Sequence, residues 1–239
     1  MSKFFLSNEV LWILFLILDL SVALILFRLF GKLGIFVLIA ISIILCNIQV
    51  TKLVTLFGFT ATLGNVLYGS LFFSTDILSE FYGKREARKG VVLGFIALLM
   101  TAVYMQLSLR FKPAPDDFAQ PHLKVIFGFL PRIALGSILA YLASQYHDVW
   151  AFHHWKRVTH GRHLWLRNNF STMVSQFIDS LIFCFIAFWG VYSFAVWKDI
   201  LLTTYFLKWA VALLDTPFIY FARHLYRKDN KIRLIDASS

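Results

Sequence analysis

The chain has 239 residues, of which 59% are hydrophobic and 15% charged, with a mean hydropathy of +0.71. This excludes an ordinary soluble globular domain and leaves room for six or seven membrane spans of about 20 residues with short loops, but not for a separate soluble domain. The net charge of +10 does not point to nucleic acid, because the basic residues are spread over short connections between apolar runs, where they report membrane orientation.

Seven apolar segments are predicted as membrane spans, at 9–27, 34–57, 62–81, 89–109, 123–146, 171–193 and 199–221. Runs of this length satisfy their own backbone hydrogen bonds as helices, whereas barrel strands would alternate over about ten residues. The expected fold is all-α, a polytopic helical bundle of seven transmembrane helices forming one domain over 1–239, or of six if the first helix is peripheral. That first run follows Lys3 like a signal peptide, yet it carries Asp19 and continues through Phe27 without a small-residue cleavage site, so a retained helix is expected.

On the second span Asn47 and Thr51 share one helical face, and Gln49 and Lys52 another. The third carries Asp76 and Glu80 as an i, i+4 pair. The connection Lys112 to Pro121, with three prolines and two aspartates, reads as an irregular external turn. In the fifth span Arg132 follows Pro131, a site for a helix irregularity that frees backbone carbonyls. His147, His153, His154, His160 and His163 crowd the next connection. A zinc site there would need ligands gathered from helices, so the basic loop is the simpler reading, and neither a metal nor a cofactor is expected. The sixth span sets Thr172, Gln176 and Asp179 on one face, and the seventh aligns Thr204, Lys208 and Asp215. Cys46 and Cys184 lie in apolar runs, where a thiol behaves as a small hydrophobe.

Eight ionisable residues therefore sit in or at the ends of spans: Asp19, Lys52, Asp76, Glu80, Arg132, Asp179, Lys208 and Asp215. A single Asp, Lys or Arg at a helix centre costs about 2.5–3.5 kcal/mol on insertion scales, so such charges face a polar cavity or each other. Lys52 can snorkel to an interface, Glu80 can belong to a loop and Asp19 can be structural. With the N-terminus outside, fifteen Lys and Arg fall on the cytoplasmic side and five on the other, which places the C-terminus inside. No nucleophile elbow or phosphate-binding glycine loop is present, so an enzyme is not expected.

Four stretches carry a more specific signal: TDILSEFYGKREARKG from Thr75 to Gly90, PRIALGSILAYLASQ from Pro131 to Gln145, LWLRNNFSTMVSQFIDS from Leu164 to Ser180, and KWAVALLDTPFIYF from Lys208 to Phe221. Together they resemble the queuosine precursor transporter family, also called the vitamin uptake transporter family, over roughly residues 40–225. The additional N-terminal helix, up to about residue 30, matches least. The resemblance implies uptake of 7-cyano- and 7-aminomethyl-7-deazaguanine across a bacterial inner membrane for tRNA modification. The motif residues it carries over are Asn47, Asp76, Glu80, Arg132, Gln145, Arg167, Asn168, Ser171, Thr172, Gln176, Asp179, Lys208 and Asp215.

A guanine-like edge presents two donors beside one acceptor, which a carboxylate and an amide complement. Asp179 and Gln176 are the expected pair, with Asn47, Asp76 and Thr172 as further substrate-binding residues, and Phe73, Tyr141 or Phe177 as a stacking ring. Arg132, Lys208, Asp215 and Glu80 are expected to couple or gate secondary transport by alternating access. The partners are then a small 7-deazapurine and the lipid bilayer, with room for a homo-oligomer and no nucleic acid. Two alternatives remain, a substrate-capture subunit of an energy-coupling vitamin transporter and a non-transporting membrane enzyme.

Overall fold

A computed structural model describes the backbone at residues 6–158 and 164–236, and within these the side chains outside 148–149, 152–153, 155–172, 212–213, 215–216, 219, 223 and 225–236. Eight helices run in the order α1 (Asn8–Phe30), α2 (Lys32–Gln49), α3 (Tyr68–Ile77), α4 (Lys84–Ser108), α5 (Ala119–Gly128), α6 (Leu130–Val158), α7 (Leu164–Phe188) and α8 (Phe194–Asp236), with a small hairpin between α2 and α3. Asn8–Phe30, Lys32–Gln49, Lys84–Ser108 and Ala119–His147 are long and apolar enough to cross a membrane, and Met173–Phe188 is a shorter apolar stretch. Leu11, Leu14, Leu18, Ile25 and Leu29 on α1 stay exposed, while Trp12, Leu16, Leu20 and Ala23 are buried. Such a helix is apolar on every side, as a lipid-facing helix must be. At about 1.5 Å per residue the 43 residues of α8 reach about 65 Å, more than twice a hydrocarbon core, so this helix projects beyond it.

The span boundaries change most between residues 49 and 82. The second span was expected to run to 57, but α2 ends at Gln49 and strands β1 (Leu53–Leu56) and β2 (Phe59–Thr62) pair antiparallel. Phe57 (φ 51°) and Gly58 (φ 81°) form their two-residue turn, and positive φ at both positions matches the right-handed twist of the strands. A two-stranded ribbon leaves outward carbonyls on both edges, which a bilayer protein must satisfy internally. Asn8 Nδ2 donates to Thr55 O (3.0 Å), Thr203 Oγ1 donates to Thr60 O (3.1 Å), and Glu9 Oε1 accepts from Phe57 N–H (3.0 Å). The hairpin is thereby fastened between the start of α1 and α8.

The third expected span is not one α-helix. A 3-10 turn (Leu63–Leu67) leads into the ten residues of α3, and a π-helical turn (Leu78–Tyr82) follows. Irregular turns of this kind recur at functional sites because they re-aim side chains within a helix. The fifth span also breaks where Pro131 suggested, at Phe129 between α5 and α6.

Apolar packing then gathers the helices around one interior space. Ile35, Leu38, Ile39, Phe73 and Ile77 pack with α1 and α8, while Ile133, Ala140, Phe183, Cys184 and Ile200 join α6, α7 and the start of α8. Among the described residues, α6 against α7 is the most extensive helix contact.

Candidate functional site

A cavity of about 360 Å³ opens between α2, α3, α4, α6 and α7, within the range of about 300–1,000 Å³ usual for small-molecule sites. Each helix presents one face to it. α3 contributes Tyr68, Phe72, Thr75, Asp76 and, at its π-turn, Ser79; α6 contributes Ser137, Tyr141, Ser144 and Gln145; α7 contributes Gln176, Asp179 and Phe183. These spacings of three, four and seven residues align side chains along one helical stripe. Cys46 and Asn47 of α2, with Arg88 and Phe95 of α4, complete the polar and aromatic lining.

The deepest charges form a layered pair. Lys208 of α8 is ion-paired and hydrogen-bonded to Asp179 Oδ2, and its ammonium sits over the Tyr68 ring, 5.0 Å from the centroid. Lysine retains 2% of its side-chain surface and aspartate 20%, so the ammonium lies behind the carboxylate. The Ser144 hydroxyl reaches both Tyr141 O (3.0 Å) and Asp179 Oδ1 (3.5 Å). A carboxylate offers about four lone-pair sites, so Asp179 keeps acceptor capacity toward the cavity. Gln176, one helical turn earlier on the same face, has a buried Oε1 without a hydrogen-bond partner among the described residues.

Asn47 is more fully engaged. Its Nδ2 donates to Ile43 O and its Oδ1 accepts from the Ser137 hydroxyl, both at 2.7 Å, which ties α2 to α6. Asp76 lines the cavity and makes no hydrogen bond or ion pair among the described residues. Aromatic walls come from Tyr68, stacked on Phe72 with centroids 6.0 Å apart, and from Phe95 packed edge-on against Tyr141 at 5.1 Å.

Other expected site residues lie elsewhere. Arg132 stands outside the cavity, where its Nε and Nη2 donate to Ile186 O (2.5 Å) and Trp189 O (2.6 Å) at the end of α7. Glu80 is exposed on the π-turn, off the cavity lining. Thr172 and Asp215 lie outside the described side chains. Of the three rings expected to stack, only Tyr141 reaches the cavity; Phe73 is fully buried against Phe218, and Phe177 meets Tyr205. Among the described residues no three His, Cys, Asp or Glu gather as metal ligands, and His147 shares a 3.0 Å hydrogen bond with Ser175. His160 and His163 lie outside the described residues, as does the side chain of His153.

Tyr68, Phe72, Arg88, Phe95, Ser137 and Ser144 were not singled out from the sequence. A signal existed for some: Arg88, Ser137 and Ser144 stand inside the quoted motif stretches, and Ser137 and Ser144 lie four and three residues from Tyr141, which was already chosen.

Comparison with known proteins agrees with this architecture. Residues 62–222 match the family model described as "Putative vitamin uptake transporter". The chain belongs to the vitamin uptake transporter family. Among relatives, the transporter is 47% identical over 225 residues to the "Probable queuosine precursor transporter" of Bacillus subtilis (strain 168), covering 94% of this chain and 98% of that one. It is also 30% identical to the "Queuosine precursor transporter" of Escherichia coli (strain K12), covering 70% and 74% of the two chains. A Haemophilus influenzae relative with the name "Probable queuosine precursor transporter" is 28% identical, over 56% and 54%. No solved structure matches the transporter.

Proposed function

We propose that this chain is a secondary transporter of the bacterial inner membrane, with a cytoplasmic C-terminus, that imports the queuosine precursors 7-cyano- and 7-aminomethyl-7-deazaguanine. Its relatives' names supply the substrate class. The single structural observation that supports it is the Asp179 carboxylate, backed by Lys208 and presented to the cavity beside Gln176, whose Oε1 has no partner among the described residues.

The fit is chemical. N1–H and the 2-amino group of the base donate to the Asp179 carboxylate and to the unpartnered Gln176 Oε1. Lys208 is a positioning residue, since it touches the carboxylate from the side away from the cavity. The flat ring packs between Tyr68–Phe72 and Phe95–Tyr141, where π-faces and apolar surface replace water. Alternating access then rocks α6 and α7, which pack most extensively on each other, against α3 around the bound base, and the Lys208–Asp179 pair joins that unit to α8.

The test is uptake of labelled precursor into cells that cannot synthesise it, followed by recovery of the labelled base intact. Wild-type should accumulate it, and Asp179→Asn at equal membrane abundance should not. Unchanged accumulation by the variant would overturn the site. The purified chain alone in proteoliposomes should also transport; a requirement for an added ATPase module would instead make it a capture subunit.

A further inference from the structure

We propose that Asp76 is the residue that separates the two precursors, by receiving the ammonium of the 7-aminomethyl base. This rests on the substrate class proposed above and goes beyond it by assigning the tail of the ligand to a second wall of the cavity.

Two carboxylates line the cavity among the described residues, and they differ in one respect. Asp179 already holds an ammonium, that of Lys208. Asp76 holds none: it has no ion-pair or hydrogen-bond partner among the described residues, although it projects from α3 into the cavity between Phe72 and Ser79. Asp76 is exposed to the cavity rather than sealed in the packing, and an intramembrane carboxylate that faces a water-filled cavity marks a substrate path. The other unpaired charge of the lining is Arg88 of α4, which does not close an ion pair with Asp76. Opposite charges that share a cavity without neutralising each other suit a dipolar ligand.

The substrate chemistry supplies one. In a 7-deazaguanine, the C7 substituent lies beside O6, on the edge away from the 2-amino group. With the donor edge on α7, the substituent is directed to another wall, and α3 with α4 carries the remaining charges. The aminomethyl group is a protonated amine at neutral pH and the cyano group is not. A charge-assisted hydrogen bond to Asp76 is therefore available to one substrate only.

The experiment measures uptake of each labelled base separately in precursor-deficient cells expressing wild-type, Asp76→Asn or Asp76→Glu at matched membrane abundance. Asp76→Asn should lower 7-aminomethyl uptake by about ten-fold or more, as expected for losing a charged hydrogen bond, while 7-cyano uptake stays within about two-fold. Asp76→Glu should keep both. Equal loss of the two substrates in both variants, or loss of neither in Asp76→Asn, overturns the assignment. Wild-type competition covers the case where the variants fail to accumulate: a neutral 7-hydroxymethyl analogue should compete at least about ten-fold more weakly than the 7-aminomethyl base, and equal competition overturns it too. Failure of wild-type to take up either base would instead strike the functional proposal itself.

Discussion

Lys208 neutralises Asp179 from behind, so that the carboxylate, not the ammonium, faces the cavity. Removing one partner of such a pair strands a charge in low dielectric and costs about 3–5 kcal/mol, whereas removing both is far milder. Lys208→Met should therefore lower the melting temperature of the purified protein and abolish uptake. Asp179→Asn with Lys208→Met should recover most of the stability and none of the transport. Additive melting shifts in the double variant would mean that the two groups do not act as a pair.

Arg132 is expected to report on stability rather than coupling. Its guanidinium satisfies Ile186 O and Trp189 O, carbonyls at the end of α7 that the helix cannot satisfy itself. Each stranded carbonyl costs about 1–3 kcal/mol when buried, and Arg132 and Trp189 are exposed, so the lower end applies. Arg132→Ala should reduce membrane abundance and melting temperature, with uptake per molecule preserved; Arg132→Lys should restore part of the abundance. A per-molecule loss of uptake with normal abundance would return Arg132 to the transport machinery.

The bundle was legible because helical runs of apolar residues leave a periodic trace, and Asp179 with Gln176 was legible because their spacing puts them on one helix face. The hairpin was not. Residues 53–62 are mostly apolar or threonine, and in a chain this hydrophobic they merge with the run before them; only Gly58 within a short alternating stretch marked the turn. Lys208 and Asp215 were aligned with each other along one helix, but a charge's partner across the bundle is tertiary information. The same holds for Arg132, whose partners are backbone carbonyls more than fifty residues away.

Asp19 illustrates an intramembrane charge with a structural role. Its Oδ2 accepts the Ser70 amide (3.2 Å) in the first turn of α3, while the Ser70 hydroxyl bonds Ser42 Oγ at 3.0 Å. Asn can accept the same hydrogen bond without the charge. Asp19→Asn should leave melting and uptake close to wild-type, and Asp19→Ala should destabilise by about 0.5–2 kcal/mol, as for a lost helix cap. Equal loss of uptake in both would show that the negative charge, not the cap, is what the protein needs.

Gly64 controls how closely the 3-10 turn approaches α2. A Cβ there would lie 2.4 Å from Val50 Cγ1 and 2.5 Å from Cys46 O, and the second clash is with backbone that no rotamer change relieves. The Cys46 thiol donates to Gly64 O at 3.3 Å, which confirms how closely the two segments are seated. Asn47 follows directly and carries the 2.7 Å hydrogen bond to Ser137, so a displaced α2 end loosens the link to α6 at the cavity wall. Gly64→Ala should cost about 1–3 kcal/mol, the range for overpacking, and lower uptake as well. Adding Val50→Ala removes only the side-chain clash and should rescue melting in part. Full rescue would place the constraint in the Val50 side chain rather than in the backbone approach, and an unchanged melting temperature for Gly64→Ala would remove the constraint altogether.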